Sequence, residues 1–265
     1  MKDGKLKQNG ATGIDVAKAH CNSPTSIMTF FIIIFMLVGA TYARNMVWKN
    51  DQKLWTDVTN KSPGKGRAYM NLGSALYGDK EYTRAIEMLT HAISLNYGSS
   101  LVYYDLGTAF EKTGQTTAAL LAYDKAVSIQ PSNYRALNNS GVLYGKTGSY
   151  DIALEKLNRA IAANPDYAFA YNNRGFTYSE IGQTDKAFKD FTKAIELDPK
   201  NEKNVMAEAL VDRGKIHIKN GENDLAMKDF QEACNFKNED ACDLLFHLKP
   251  KQGAENNKSG SPVVL

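Results

Sequence analysis

Two hydrophobic patterns divide the chain. Over residues 21–43 there are 23 consecutive residues without a charge, and the stretch IMTFFIIIFMLVGA at 27–40 is apolar on every face. From about residue 66 onward the pattern changes to small and large apolar residues recurring amid polar ones at a fixed interval. Gly73, Gly107, Gly141 and Gly175 stand 34 residues apart, and Ala85, Ala119, Ala153 and Ala187 keep the same spacing. So do Ala92, Ala126, Ala160 and Ala194, and so do Pro131, Pro165 and Pro199. A further copy follows with Gly214, Ala226 and Ala233, displaced by five extra residues after Pro199. A period of this length marks a repeated supersecondary unit that buries its apolar face only by stacking on its neighbours.

Each column has a physical task. Gly73 and its equivalents sit midway along a first helix, where another helix approaches closely. Gly114, Gly148, Gly182 and Gly221 follow seven residues later, where a left-handed turn residue closes the helix. The alanine columns let a second helix pack against the first, and Leu89, Tyr123, Leu157, Phe191 and Phe230 fill the volume between them. The prolines end the second helix, because the residue before proline is held out of α geometry. The unit is a helix–turn–helix hairpin.

This pattern resembles the tetratricopeptide repeat (TPR) over residues 66–240, and the stretch YNNRGFTYSEIGQTDKAFKDFTKAIELDP at 171–199 is especially similar. The resemblance implies an all-α superhelical solenoid of five hairpins. The first copy departs from the family, with Lys80 in place of the turn glycine and Tyr97 in place of proline, so a looser turn is expected there. Terminal repeats need covering. Val47, Trp48, Leu54, Trp55 and Val58 share one helical face over 46–61, and Pro63 falls in register with the terminating prolines. That segment reads as an orphan second helix that continues from the apolar stretch and caps the first repeat. Ala241, Leu244, Leu245 and Leu248 supply a capping helix at the other end.

The apolar stretch is long enough to cross a bilayer, since residues 27–43 number 17 and about 17–20 are needed. A core helix would show a polar face, and this one shows none. The alternative is a cleaved signal peptide ending at Val38-Gly39-Ala40, although the 26 residues before it make a long leader. Lys5, Lys7 and Lys18 on one side and Arg44, Lys49, Lys53 and Lys61 on the other leave the orientation undecided. The expected organisation is a disordered leader at 1–24, one transmembrane helix at 25–43, cap and junction at 44–65, solenoid at 66–248 and a disordered tail at 249–265.

Charge adds little: 32 Lys and Arg against 29 Asp and Glu give +3, too balanced to argue for nucleic acid. Three cysteines and four scattered histidines form no metal-ligand spacing. No phosphate-cradling or hydrolase motif occurs. Neither catalytic residues nor a cofactor nor a small-molecule substrate is expected. What stacked hairpins offer is a concave groove lined by the first helices. Met70, Tyr77, Tyr104, Lys112, Arg135, Asn138, Lys146, Phe169, Asn172 and Phe176 fall at its lining positions, where aromatics give contact area and amides can bond an extended ligand. The expected function is non-catalytic scaffolding, with a protein or peptide segment held in the groove. The family's carboxylate-clamp variant needs Lys and Asn where Met70 and Ser74 stand here, so that mode of binding is not expected.

Residues 41–76 also look like the junction between the last membrane helix and the TPR tail of transmembrane O-mannosyltransferase-like proteins, through Arg44, Trp48, Leu54, Trp55 and Pro63. That resemblance implies a second possibility, the C-terminal part or a truncated relative of a multi-span glycosyltransferase. Finally, Cys234 and Cys242, eight residues apart, fall on two helices joined by a short turn. They are either two small buried thiols or a disulfide, the spacing being similar to that of Sel1-like repeats. A disulfide persists in an oxidising compartment, which places the solenoid in a periplasm or lumen rather than the cytoplasm.

Overall fold

The computed structural model describes residues 24–48, 50–202 and 204–248. The leader at 1–24, apart from Pro24, and the tail at 249–265 lie outside the described residues. Among the described residues, 13 α-helices and no strands occur. An isolated helix, α1 (Pro24–Trp48), is followed by α2 (Asp51–Lys61). Five hairpins then follow: α3 (Gly66–Gly78) with α4 (Tyr82–Ser94), α5 (Ser100–Lys112) with α6 (Thr116–Ile129), α7 (Tyr134–Lys146) with α8 (Tyr150–Ala163), α9 (Ala168–Glu180) with α10 (Thr184–Leu197), and α11 (Val205–Lys219) with α12 (Asn223–Asn235). A short helix, α13 (Glu239–Leu248), closes the stack.

The mid-helix glycines act on the partner helix of the same hairpin. A Cβ added at Gly73, Gly107, Gly141, Gly175 or Gly214 would come within 2.5–2.9 Å of Leu89, Tyr123, Leu157, Phe191 or Phe230 respectively. Each large side chain, fully buried, fills the space that the missing glycine side chain leaves. The alanines at 85, 119, 153, 187 and 226 are fully buried too. The second helices of the second, third and fourth hairpins each end two residues before their proline, as the sequence requires.

The first hairpin's turn is not looser than the rest. Lys80 adopts φ +64°, the same left-handed geometry that Gly114, Gly148, Gly182 and Gly221 take at +75° to +79°. The Leu76 carbonyl accepts from Glu81 N at 2.9 Å, just as Phe110 O accepts from Gln115 N. Packing of the hairpin outweighs the strain at a lysine. The five inserted residues have a task as well. Asp198 Oδ2 accepts from Val205 N and Asn201 Oδ1 from Ala207 N, each at 3.1 Å, so the longer loop folds back to cap the first turn of α11.

The two ends differ from expectation in one respect. The segment 46–61 is not one helix continuing from the apolar stretch. Residues up to Trp48 belong to α1, and Asn50, extended at φ −130°, caps a new helix by accepting from Lys53 N at 2.8 Å. From α2, Trp55 packs on Leu72, Leu76 and Ala85, so this helix does take the place of a second helix before the first repeat. At the other end Ala241 and Leu245 of α13 are buried against α12, and Cys234 and Cys242 form a disulfide with their Cα atoms 4.8 Å apart. Residues 28–42 of α1 are exposed along their whole length. Over the described residues, no helix is long and apolar enough to cross a membrane.

Candidate partner groove

Successive first helices touch one another, α3 with α5, α7 with α9 and α9 with α11, so they form the inner wall of the solenoid while the second helices lie outside. Residues spaced by one repeat therefore line up in rows across this wall. One row runs Arg67, Leu101, Arg135, Phe169 and Glu208. The next runs Met70, Tyr104, Asn138, Asn172 and Val211, and beside it lie Asn71, Asp105, Asn139, Asn173 and Asp212.

The predicted lining residues separate into three kinds. Lys112, Arg135, Lys146 and Phe176 are exposed, Phe176 at 52%. Met70, Tyr77, Tyr104 and Phe169 are half-buried: Tyr104 lies 6.1 Å from Tyr123, and Phe169 lies 5.4 Å from Tyr167, which itself stands edge-on to Tyr134 at 4.8 Å. Burial pushes the Tyr167 hydroxyl up to about 12, with Tyr104 adding to it, so it stays a neutral donor. Asn138 and Asn172 are buried. The expectation that these two amides face a ligand directly does not hold in this conformation, because both point between neighbouring helices.

Asn138 is the centre of a polar chain that crosses the wall. Its Oδ1 accepts from Asn173 Nδ2 at 2.9 Å, and its own Nδ2 donates to Asn139 Oδ1 at 3.1 Å. Asn139 Nδ2 donates to the Tyr123 hydroxyl at 3.3 Å, which donates to Glu111 Oε2 at 3.1 Å. Lys146 Nζ stands 3.7 Å from the other Glu111 oxygen. Sequence reasoning missed Asn139, Asn173, Tyr123 and Glu111. The signal was present in the row 71, 105, 139, 173 and 212, which is Asn or Asp in every repeat.

Two further features give the wall its shape and charge. A cavity of about 440 Å³ between the third and fourth hairpins is lined by Val142, Tyr150, Asn173, Phe176, Lys146 and Glu180, an apolar floor with one charge of each sign at the rim. Asp105 accepts from Ser74 Oγ at 2.8 Å, yet burial holds its carboxyl above the usual range. Burial also raises Glu208, with the Asp212 charge adding to the effect.

Comparison with known proteins agrees with this architecture. Family models described as tetratricopeptide repeat match residues 71–134 and 104–168, 168–201 and 207–240, together more than half of the chain. The chain belongs to the tetratricopeptide-repeat family. No curated protein sequence matches it significantly. Among solved structures it is similar to MamA, at 28% identity and TM-score 0.53 over 57% of this chain and 89% of that one. A MamA from Desulfovibrio magneticus RS-1 matches at 22% identity and TM-score 0.57, over 65% of this chain and 95% of that one. YrrB, described as a TPR protein with an unusual peptide-binding site, matches at 21% and TM-score 0.57, over 74% of this chain and 97% of that one. The last two likenesses are of fold. None of the family matches reaches the residues before 71, so the resemblance of residues 41–76 to glycosyltransferase junctions gains no support.

Proposed function

We propose that the protein is a membrane-anchored, non-catalytic scaffold whose concave wall holds a segment of a partner protein. The carrying observation is the composition of that wall: Phe176 and Leu101 are about half exposed beside the exposed charges of Arg135, Lys112 and Lys146. A merely solvated face has no need of such apolar area, whereas a groove with apolar floor and charged rim matches the anatomy of a recognition surface. The peptide-binding description of YrrB, a protein of the same fold, is consistent with this reading. The anchor is supported by the uncharged run at 21–43 and by the exposure of Phe30, Phe31, Phe35 and Leu37 at 60–81%, since lipid is the natural cover for so exposed an apolar helix. The Cys234–Cys242 disulfide supports an oxidising compartment for the solenoid.

The test is selection of short peptides by the full chain in mild detergent, followed by binding of the selected peptides to variants. Phe176→Glu with Lys146→Glu should weaken binding about tenfold or more, as expected for a central anchor. Leu121→Glu, on the outer face of α6, should leave it within about twofold. Equal losses from both variants would remove the groove from the account. Flotation of the full chain with phospholipid vesicles tests the anchor, and a chain that stays at the bottom of the gradient would refute it.

A further inference from the structure

The polar chain across the inner wall links the third hairpin to the fourth through one amide pair, and the same two positions one repeat on do not form it. In the third and fourth hairpins Asn173 donates to Asn138 Oδ1. One repeat on, the acceptor is Asn172 and the residue in the donor's place is Asp212, which has no N–H to give. Asn172 is 7% exposed, and its Oδ1 has no hydrogen-bond partner among the described residues. Its Nδ2 makes only a long bond, 3.4 Å, to Glu208 Oε2. Among the described residues no ion pair forms at Glu208, and the Asp212 charge repels it. Among the described residues, the cation that meets Asp212 is Lys215, an exposed side chain on the same helix at 2.9 Å. One end of the groove therefore sets an unpaired buried acceptor, Asn172 Oδ1, beside two carboxylates, one held by a long amide bond and the other by an exposed lysine. A buried acceptor left unpaired costs about 1–3 kcal/mol.

We infer that this end of the groove recognises a basic side chain of the bound segment, an arginine above all, through Glu208, Asp212 and Asn172. A guanidinium is all donors and carries the complementary charge, and its planar fork matches carboxylates. On docking, Glu208 exchanges its long bond from Asn172 for a charge-assisted one. That frees the Asn172 amide to turn its oxygen toward the incoming N–H. The inference rests on the groove reading and specifies the chemistry of its ligand.

Two measurements on the full chain in mild detergent test it. Peptides selected by the wild-type chain should share an arginine or lysine at one position. Replacing that residue by citrulline, which keeps the shape and removes the charge, should weaken binding about tenfold, or about 1.4 kcal/mol. The same exchange should matter less than about twofold to a Glu208→Gln, Asp212→Asn variant. The second measurement needs no ligand. Asp212→Asn alone supplies the missing donor, as Asn173 does for Asn138, and should raise the unfolding midpoint by about 2–4 °C. Selected peptides without a shared basic residue, a citrulline loss equal in wild type and variant, or an unchanged midpoint for Asp212→Asn would each overturn the inference. Failure to select any peptide at all would instead sink the groove reading, and this inference with it.

Discussion

Gly107 and Gly145 show how differently one residue type acts along the same wall. A Cβ at Gly107 would lie 2.6 Å from the fully buried Tyr123 ring, which has nowhere to retreat. Gly107→Ala should therefore cost about 1–3 kcal/mol as an overpacked core. A Cβ at Gly145 meets only Thr177 Oγ1 at 3.8 Å and Ala153 Cβ at 3.9 Å. Gly145→Ala should be neutral or stabilise by up to about 1 kcal/mol through helix propensity. Denaturant unfolding of the two variants checks both signs. A second prediction concerns Asp105, whose carboxyl burial raises above the usual range. A carboxyl raised in the folded state contributes stability that is present at low pH and lost as pH rises through its folded value. The midpoint of Asp105→Asn relative to wild type should accordingly climb as pH rises above about 4, the ordinary carboxyl value, and a flat difference would contradict it. The glycine column was legible because its period is strict. The burial of Asn138 and Asn172 was not, because the row shows which wall a residue lines but not whether a neighbouring amide claims it first.

The hairpins solve the same packing problem in two ways. In the fourth, Arg174 forms a two-pronged pair with Asp190 at 2.7 Å for each bond, and in the fifth Arg213 pairs likewise with Asp229 at 2.9 and 2.7 Å. The equivalent positions of the second hairpin are Leu106 and Ala122, both buried. Asp190→Ala alone leaves the largely buried guanidinium with its bond to Asn158 but no counter-charge, and should cost about 3 kcal/mol. Arg174→Leu with Asp190→Ala reproduces the second hairpin's solution and should recover most of that loss, the test being a double-mutant cycle by chemical unfolding. The disulfide belongs to this scale too, since it ties α13, only ten residues long, to α12. Replacing both cysteines by alanine should lower stability by about 2–3 kcal/mol and increase hydrogen exchange in α13 first. Unchanged exchange there would show that packing of Ala241 and Leu245 holds the cap alone. Spacing was enough to bring these cysteines face to face. The start of α2 was harder to see, because an amphipathic face continues across 46–61 and only the short polar side chain of Asn50 marks the break.

At the scale of the molecule, five hairpins expose one continuous inner wall and one outer wall, and the sequence period alone dictates that arrangement. What binds there is set by departures from the period. The apolar floor around Phe176, the unpaired acceptor at Asn172 and the adjoining carboxylates of Glu208 and Asp212 are such departures. Periodicity shows the scaffold readily, and hydrogen-bond partners across repeats show the recognition chemistry only once the helices are stacked. The inner wall as the partner surface is the claim on which the functional account stands, and site-specific photo-crosslinking in the native host addresses it directly. A photoreactive residue placed at Phe176, half exposed on the inner wall, should trap a discrete partner band. The same residue at Leu121, 68% exposed on the outer wall, should not. Trapping of the same band from Leu121 alone, or equally from both positions, would contradict the account.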